Sequence, residues 1–122
     1  MMEENQISPE LTALEREALE TAILGHAKVS ELAAQLDAAI VIARTPSGVG
    51  FVTKLQIPEA LSIGEKQEVN DLPAVLAEHP ALPSGAEFIF QVKAGRLNCI
   101  EAYCFEGVWP TNESLFRVSP KS

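Results

Sequence analysis

The chain has 122 residues, of which 47% are apolar, so it is long enough for one hydrophobic core and too short for two. Its net charge of −8 disfavours binding to phosphate backbones and to anionic membrane surfaces. No apolar run is long enough to span a bilayer, and the acidic start of the chain lacks the pattern of a signal peptide. We therefore expect a single cytoplasmic domain over residues 1–122, with flexible ends at 1–7 and 119–122.

Two amphipathic helices are predicted at the start of the chain. Ser8 and Pro9 are residue types that begin helices, and Gly25 is one that ends them. Apolar residues recur between them at spacings of three and four, at Leu11, Leu14, Ala18, Leu19, Ala22 and Ile23. A shorter stripe follows, with Val29, Leu32, Ala33 and Leu36. Both stripes need a common surface to cover, and that surface is predicted to be a sheet.

Acidic residues fill the other positions of the first helix. Residues 1–25 hold six glutamates against Arg16 alone. Glu15, Glu17 and Glu20 are therefore predicted to form an exposed acidic surface, which either binds a basic protein or only keeps the chain soluble. Trp109 is the further candidate for a partner contact, although a tryptophan folded over the edge of the core is the commoner arrangement.

The middle of the chain predicts one hairpin and a less regular segment. Residues 39–45 and 51–57 read as two strands, and the register between them stays open because the loop at 46–50 is long. The G-x-G in that loop joins two strands and opens no helix, so it lacks the geometry of a phosphate-binding loop. Residues 59–71 are predicted to run over the surface. A short strand at 72–78 is placed at a sheet edge by Pro73, and residues 79–85 are predicted as a loop.

A second hairpin is predicted near the end of the chain, before a short closing strand at 115–118. Residues 86–93 and 96–103 flank an Ala94-Gly95 turn. If Lys93 lies opposite Arg96, the register of the two strands is fixed. It then places five side chains on the same face of the hairpin, namely Phe88, Phe90, Cys99, Glu101 and Tyr103. The aromatic content of this face predicts that it is buried.

Glu101 is the residue whose predicted environment is chemically costly. A carboxylate on a buried face must find a hydrogen-bond donor or shift its pKa upward. Glu101 is therefore either a structural residue, paired with Arg44, Lys54 or backbone N–H groups or reaching to water, or part of a ligand pocket. In the second case Glu101 and Tyr103 orient the ligand, and Phe88, Phe90 and Cys99 line the pocket.

The sequence predicts no catalytic residue, metal site or cofactor. His26 and His79 lack metal-ligand spacing with either cysteine. Cys99 has no predictable histidine base and is assigned to the core. Cys99 and Cys104 lie five residues apart on one strand, so they face opposite sides and are predicted to be two reduced thiols.

Residues 40–110 resemble a set of small bacterial hypothetical proteins. The shared pattern is G-x-G-F at residues 48–51, then a hairpin with G-R-L-x-x-x-E-x-Y at residues 95–103, then Trp109-Pro110. This chain has Ala102 and Cys104 where the pattern favours Gly and Thr. The resemblance implies a self-contained bacterial domain and names no activity.

Together these patterns predict an α+β domain, with two N-terminal helices packed on one antiparallel sheet of two β-hairpins plus a short middle strand. The predicted function is that of a non-enzymatic interaction protein of the bacterial cytoplasm, whose acidic surface binds a basic protein, as inhibitor or immunity-type proteins do. The alternative is a small-molecule-binding domain, or an unassigned enzyme, with its pocket around Glu101 and Tyr103. The sequence predicts neither a nucleic-acid nor a membrane partner, and it gives no oligomeric state.

Overall fold

The computed structural model describes residues 9–64 and 72–121. Two helices pack against one face of a six-stranded antiparallel sheet, which confirms the predicted α+β class. The helices are α1 (Ala13–Ile23) and α2 (Val29–Ala38). The strands are β1 (Ile40–Pro46), β2 (Gly50–Gln56), β3 (Val75–His79), β4 (Leu82–Lys93), β5 (Arg96–Cys104) and β6 (Arg117–Pro120), with single 3-10 turns at Glu59–Leu61 and Glu113–Leu115.

The sheet is larger than the predicted pair of hairpins with one short strand. Its strand order is β1-β2-β5-β4-β3-β6, and every neighbouring pair is antiparallel. β3 is not the predicted edge strand, because it pairs with β4 on one side and with β6 on the other. Pro73 precedes β3, so its missing N–H removes no bond from the ladder.

Two predicted irregular segments belong to strands. His79 pairs with Leu82, so the predicted loop at 79–85 is a tight turn followed directly by β4. Ser119 and Pro120 pair with β3, which corrects the prediction of a flexible end from residue 119. The predicted flexibility at 1–7 and at Ser122, and most of the predicted surface excursion, fall outside the described residues.

The first helix begins at a capping box that the prediction overlooked. Thr12 Oγ1 accepts the Glu15 N–H at 3.1 Å, and Glu15 Oε1 accepts the Thr12 N–H at 2.9 Å. This arrangement satisfies two N–H groups that a helix start otherwise leaves unpaired. The predicted start at Ser8 and Pro9 is therefore wrong, and Thr12 is the cap.

A buried glutamine connects α2 to the β4–β5 turn. The Gln35 side chain is fully buried; its Nε2 donates to Leu61 O and Gly95 O, both at 2.8 Å, and its Oε1 accepts the Leu97 N–H at 2.9 Å. Gly95 has a φ of +74°, and an added Cβ would lie 2.1 Å from Gly64 O. The turn therefore requires glycine for its backbone conformation and for space.

The helices divide the sheet into two faces. The inner face packs against the helices and carries the buried core side chains, among them Val75, Phe88, Ile100 and Ala102. The outer face carries exposed side chains, among them Lys54, Ile89 and Glu101. The location of each predicted site residue depends on which face its strand position presents.

Candidate functional site

A β-bulge at Asn98 changes the predicted faces of the last hairpin. Val92 pairs with Leu97 and Lys93 with Arg96, as predicted, but Gln91 pairs with Cys99 and leaves Asn98 as an extra residue on β5. Beyond the bulge the register is shifted by one, so Phe88 faces Ala102 and Ile89 faces Glu101. Because side chains alternate along a strand, this shift moves Glu101 from the predicted buried face to the outer face.

The five residues of the predicted ligand pocket are therefore divided between the two faces. Phe88 and Phe90 are buried on the inner face, while Cys99, Glu101 and Tyr103 lie on the outer face, with Glu101 exposed. The prediction of a buried Glu101 among aromatic rings, in a pocket between sheet and helices, is wrong. A cavity of about 390 Å³ on the sheet does bring Phe90, Cys99 and Glu101 together, but neither Phe88 nor Tyr103 lines it.

Cys99 is half-buried on the outer face and is not the core residue that was predicted. Burial raises the pKa of its thiol, the Lys54 charge opposes this shift, and the Glu101 charge adds to it. A raised pKa lowers the thiolate fraction that nucleophilic chemistry needs. Cys104 is buried on the inner face, so the two thiols face opposite sides as predicted.

Tyr103 belongs to a cluster on the outer face that includes a carboxylate not singled out from the sequence. The Tyr103 hydroxyl donates to Glu87 Oε1, and Lys121 Nζ lies 2.8 Å from Glu87 Oε2. The hydrogen bonds from Lys121 and Tyr103 lower the pKa of Glu87 despite its burial, and the bond to Glu87 raises the pKa of Tyr103. Both oxygens of Glu87 are engaged, so this cluster connects β4, β5 and the end of the chain.

Glu15 is the largest departure from the predicted acidic surface. Its side chain is 0% exposed, whereas the prediction placed it on a solvated partner-binding surface. Arg44 donates to both carboxylate oxygens, from Nε at 2.9 Å and from Nη2 at 2.7 Å, and the Thr53 hydroxyl donates at 2.6 Å. Glu15 thus joins α1 to β1 and β2 and cannot contact a partner.

The environment of Glu15 keeps it ionised. Burial alone would raise the pKa of this carboxyl. Hydrogen bonds from Arg44, Thr53 and the Thr12 backbone, together with the Arg44 charge, outweigh burial and hold the pKa below its ordinary value. Two sequence signals pointed to this role: Glu15 lies four residues from both Leu11 and Leu19, within the apolar stripe, and it completes the T-x-x-E capping box.

The other predicted partner-binding acids of α1 are on the surface. Glu17 and Glu20 are exposed, and Arg16 Nη1 lies 3.6 Å from Glu20 and 3.2 Å from Asp37 of α2. The helical segment, residues 10–38, contains six acidic and two basic residues. Residues 39–64 and 72–121, which form the sheet and its loops, contain six of each. The negative charge of the described part of the chain therefore lies on the helical layer.

Trp109 is fixed in an aromatic cluster and is not a free anchor. Its ring stacks on Phe116, with ring centroids 4.9 Å apart, and meets Phe51 edge-on, with centroids 5.4 Å apart. Its Nε1 donates to Glu113 Oε2 at 2.8 Å. Its backbone N–H donates to Gly48 O at 2.9 Å. The commoner arrangement, a tryptophan folded over the edge of the core, is the one found.

His79 packs edge-on against Phe116, with ring centroids 4.8 Å apart, and its hydrogen bonds fix one tautomer of its ring. Its Nε2 lies 2.8 Å from Asn112 O, which can only accept, and its Nδ1 lies 3.0 Å from the Ala81 N–H, which can only donate. The ring proton therefore sits on Nε2. A cavity of about 660 Å³ includes His79, but both ring nitrogens already have backbone partners.

The described residues contain no group of three or more His, Cys, Asp or Glu side chains suited to holding a metal ion. Over residues 9–64 and 72–121, no helix is long and apolar enough to cross a bilayer.

Comparisons with known proteins assign no function. No protein-family model matches the chain, and no curated protein or solved structure shows significant similarity to it. The resemblance to small bacterial proteins therefore stays a prediction.

Proposed function

We propose that this chain is a non-enzymatic interaction protein of the bacterial cytoplasm, whose acidic helical layer binds a basic protein. The observation that carries the proposal is the segregation of charge, since the helical segment has five exposed acids besides the buried Glu15, against two bases, whereas the described remainder has six acids and six bases. A one-sided field steers a partner of opposite charge toward one surface, while an even charge would serve solubility equally well.

The perturbed ionisable groups support a non-enzymatic role. Glu15 is paired with Arg44, and Glu87 is paired with Tyr103 and Lys121, so these groups stabilise contacts between elements. Cys99 is perturbed in the direction that makes a thiol less reactive.

The position of the two thiols supports the cytoplasmic part of the proposal. Cys99 and Cys104 are free and lie on opposite faces of one strand. Small domains of oxidising compartments are commonly stabilised by disulfides, while reduced thiols suit the cytosol.

The test is affinity isolation of the tagged chain, at low salt, from a lysate of the bacterium that naturally produces it, with the bound proteins identified by mass spectrometry. Glu17→Lys with Glu20→Lys reverses the exposed charge of α1. Glu78→Lys with Glu101→Lys makes the same change in net charge on exposed positions of the sheet and serves as the matched control.

We expect a stoichiometric basic protein that is lost as salt rises, lost in the helical variant and kept in the sheet variant. Circular dichroism of both variants checks that they fold. An empty isolation would contradict the proposal. Loss of the partner in the sheet variant alone would move the interface to the outer face and refute the assignment to the helices.

A further inference from the structure

A cavity of about 550 Å³ lies where the start of α1, the β1–β2 hairpin and the Trp109 segment meet. Its volume falls within the range typical of small-molecule sites. The residues that carry the argument are Thr12, Arg44, Phe51, Trp109, Thr111 and Glu113. This cavity is distinct from the one that contains Cys99 and Glu101, and two of the predicted partner-binding residues, Glu15 and Trp109, belong to its lining.

The wall of the cavity is aromatic and held in place. Phe51 and Trp109 stand nearly perpendicular, with an interplanar angle of 89°. The Trp109 ring is backed by Phe116, and its N–H is fixed on Glu113. An apolar ligand body entering here would replace water against rings that need no rearrangement, which reduces the ordering cost of binding.

The cavity lining includes Arg44, whose guanidinium has N–H donors that Glu15 does not use. Arg44 uses Nε and Nη2 on Glu15, while its Nη1 has no hydrogen-bond partner among the described residues. The Arg44 side chain is 22% exposed, whereas Glu15 is completely buried behind it. Glu15 therefore fixes the guanidinium plane, and Arg44, a residue of the cavity lining, keeps its Nη1 donors without a partner among the described residues.

The charges around the cavity decide the class of ligand. The Glu15 carboxylate neutralises Arg44, and Glu113 adds a second carboxylate to the lining. The local balance is thus negative, which disfavours an anion. The same balance attracts a cation, but a cation without an acceptor oxygen would leave the Nη1 donors of Arg44 without a hydrogen-bond partner in the complex.

We propose that this cavity binds a small uncharged molecule with a flat apolar body, whose carbonyl or amide oxygen accepts from Arg44. The proposal does not depend on the acidic helical surface, so the two tests can fail separately.

Three nearly isosteric probes test the ligand class, namely benzamide, benzoate and benzamidine, which are neutral, anionic and cationic. The chain has a single tryptophan, so the indole N–H of Trp109 gives one resonance in a ¹H–¹⁵N spectrum, and Trp109 belongs to the lining of this cavity. We expect benzamide to shift that resonance and to bind at least fivefold more tightly than either charged probe. No shift with benzamide would overturn the site, and tighter binding of benzoate or benzamidine would overturn the assigned class.

A pair of matched variants tests the location. Thr111→Phe places a ring in the lining of the cavity, whereas Thr45→Phe places the same ring at an exposed position that does not line it. We expect a loss of benzamide affinity of at least tenfold in the first variant and a change of less than twofold in the second. Equal affinities in both would refute the location, and the comparison of probes on the unmodified chain holds whether or not either variant folds.

Discussion

Replacing Glu15 by Gln tests whether the buried ion pair holds the helical layer on the sheet. The amide oxygen of Gln can still accept from the Thr12 N–H and from Arg44 Nη2, but its NH₂ group takes the place of Oε2, which accepted from Arg44 Nε and Thr53. The change removes the opposing charge from Arg44 and leaves its Nε and a buried hydroxyl without their acceptor, while the shape of the side chain is kept.

The expected loss is large for a substitution of this size. Removing one member of a buried pair costs about 3–5 kcal/mol, because the other charge is left uncompensated. Arg44 is 22% exposed, so water can solvate part of the guanidinium, and we expect the lower end, about 3 kcal/mol. With a urea dependence of about 2 kcal/mol/M for a domain of this kind, the unfolding midpoint should fall by roughly 1.5 M.

Urea unfolding at pH 7 measures this loss, and Glu17→Gln is the matched control. Glu17 is exposed on the same helix, so its substitution should change the free energy of unfolding by no more than about 0.5 kcal/mol. Replacing Glu15 and Arg44 together by Met should recover much of the loss, since no unpaired charge remains. A midpoint for Glu15→Gln equal to that of the control would refute the view that the pair stabilises the fold.

Three further predictions concern pH and single residues. The folded state lowers the pKa of Glu15, so the contribution of its ionised carboxylate to the free energy of unfolding is complete above the unfolded pKa of about 4.3 and is lost as pH falls through the lower folded pKa. The urea midpoints of the unmodified chain and of Glu15→Gln should therefore differ at pH 5–8 and converge in more acidic buffers. The added Cβ of Gly95→Ala would lie 2.1 Å from Gly64 O, while that of Gly48→Ala, at a φ of +86°, would have no neighbour within 4 Å. Thermal melts should show a loss of stability of about 1 kcal/mol for Gly48→Ala, from backbone strain alone, and a clearly larger loss for Gly95→Ala. Tyr103 is the only tyrosine, so absorbance at alkaline pH follows it directly; its pKa should lie above the ordinary value and fall in Glu87→Gln, and an unchanged titration would mean that the hydroxyl does not bond to Glu87 in solution.

The sequence predicted the class of the fold better than the positions of its charged side chains. The helical stripes and the Ala94-Gly95 turn are local patterns, and the structure contains both. The bulge at Asn98 is also local, and one signal pointed to it. Leu97 and Ile100 are three residues apart, which interrupts the alternation of two that a regular strand requires. This interruption is the reason why Glu101 lies on the outer face and not on the predicted buried face.

The remaining errors have a different physical origin. Local spacing places Glu15 within the apolar stripe of α1, but its partners Arg44 and Thr53 are distant in sequence and meet it only in the folded chain. The same holds for Glu87, whose partner Lys121 lies 34 residues away. The position of β3 inside the sheet depends on β6, a four-residue strand with little periodicity of its own. Contacts of this kind cannot be found from local spacing.

The buried amide of Gln35 has a consequence for how the chain folds. Its bonds to Gly95 and Leu97 span 60 and 62 residues, so they form only after about half the chain has closed into a loop. The chain therefore loses the conformational entropy of closing that loop before these bonds can stabilise the fold. Contacts of such high sequence separation slow the folding of small domains. The amide that fixes α2 on the β4–β5 turn in the native state therefore cannot help to start folding, and its bonds form only once these two elements have met.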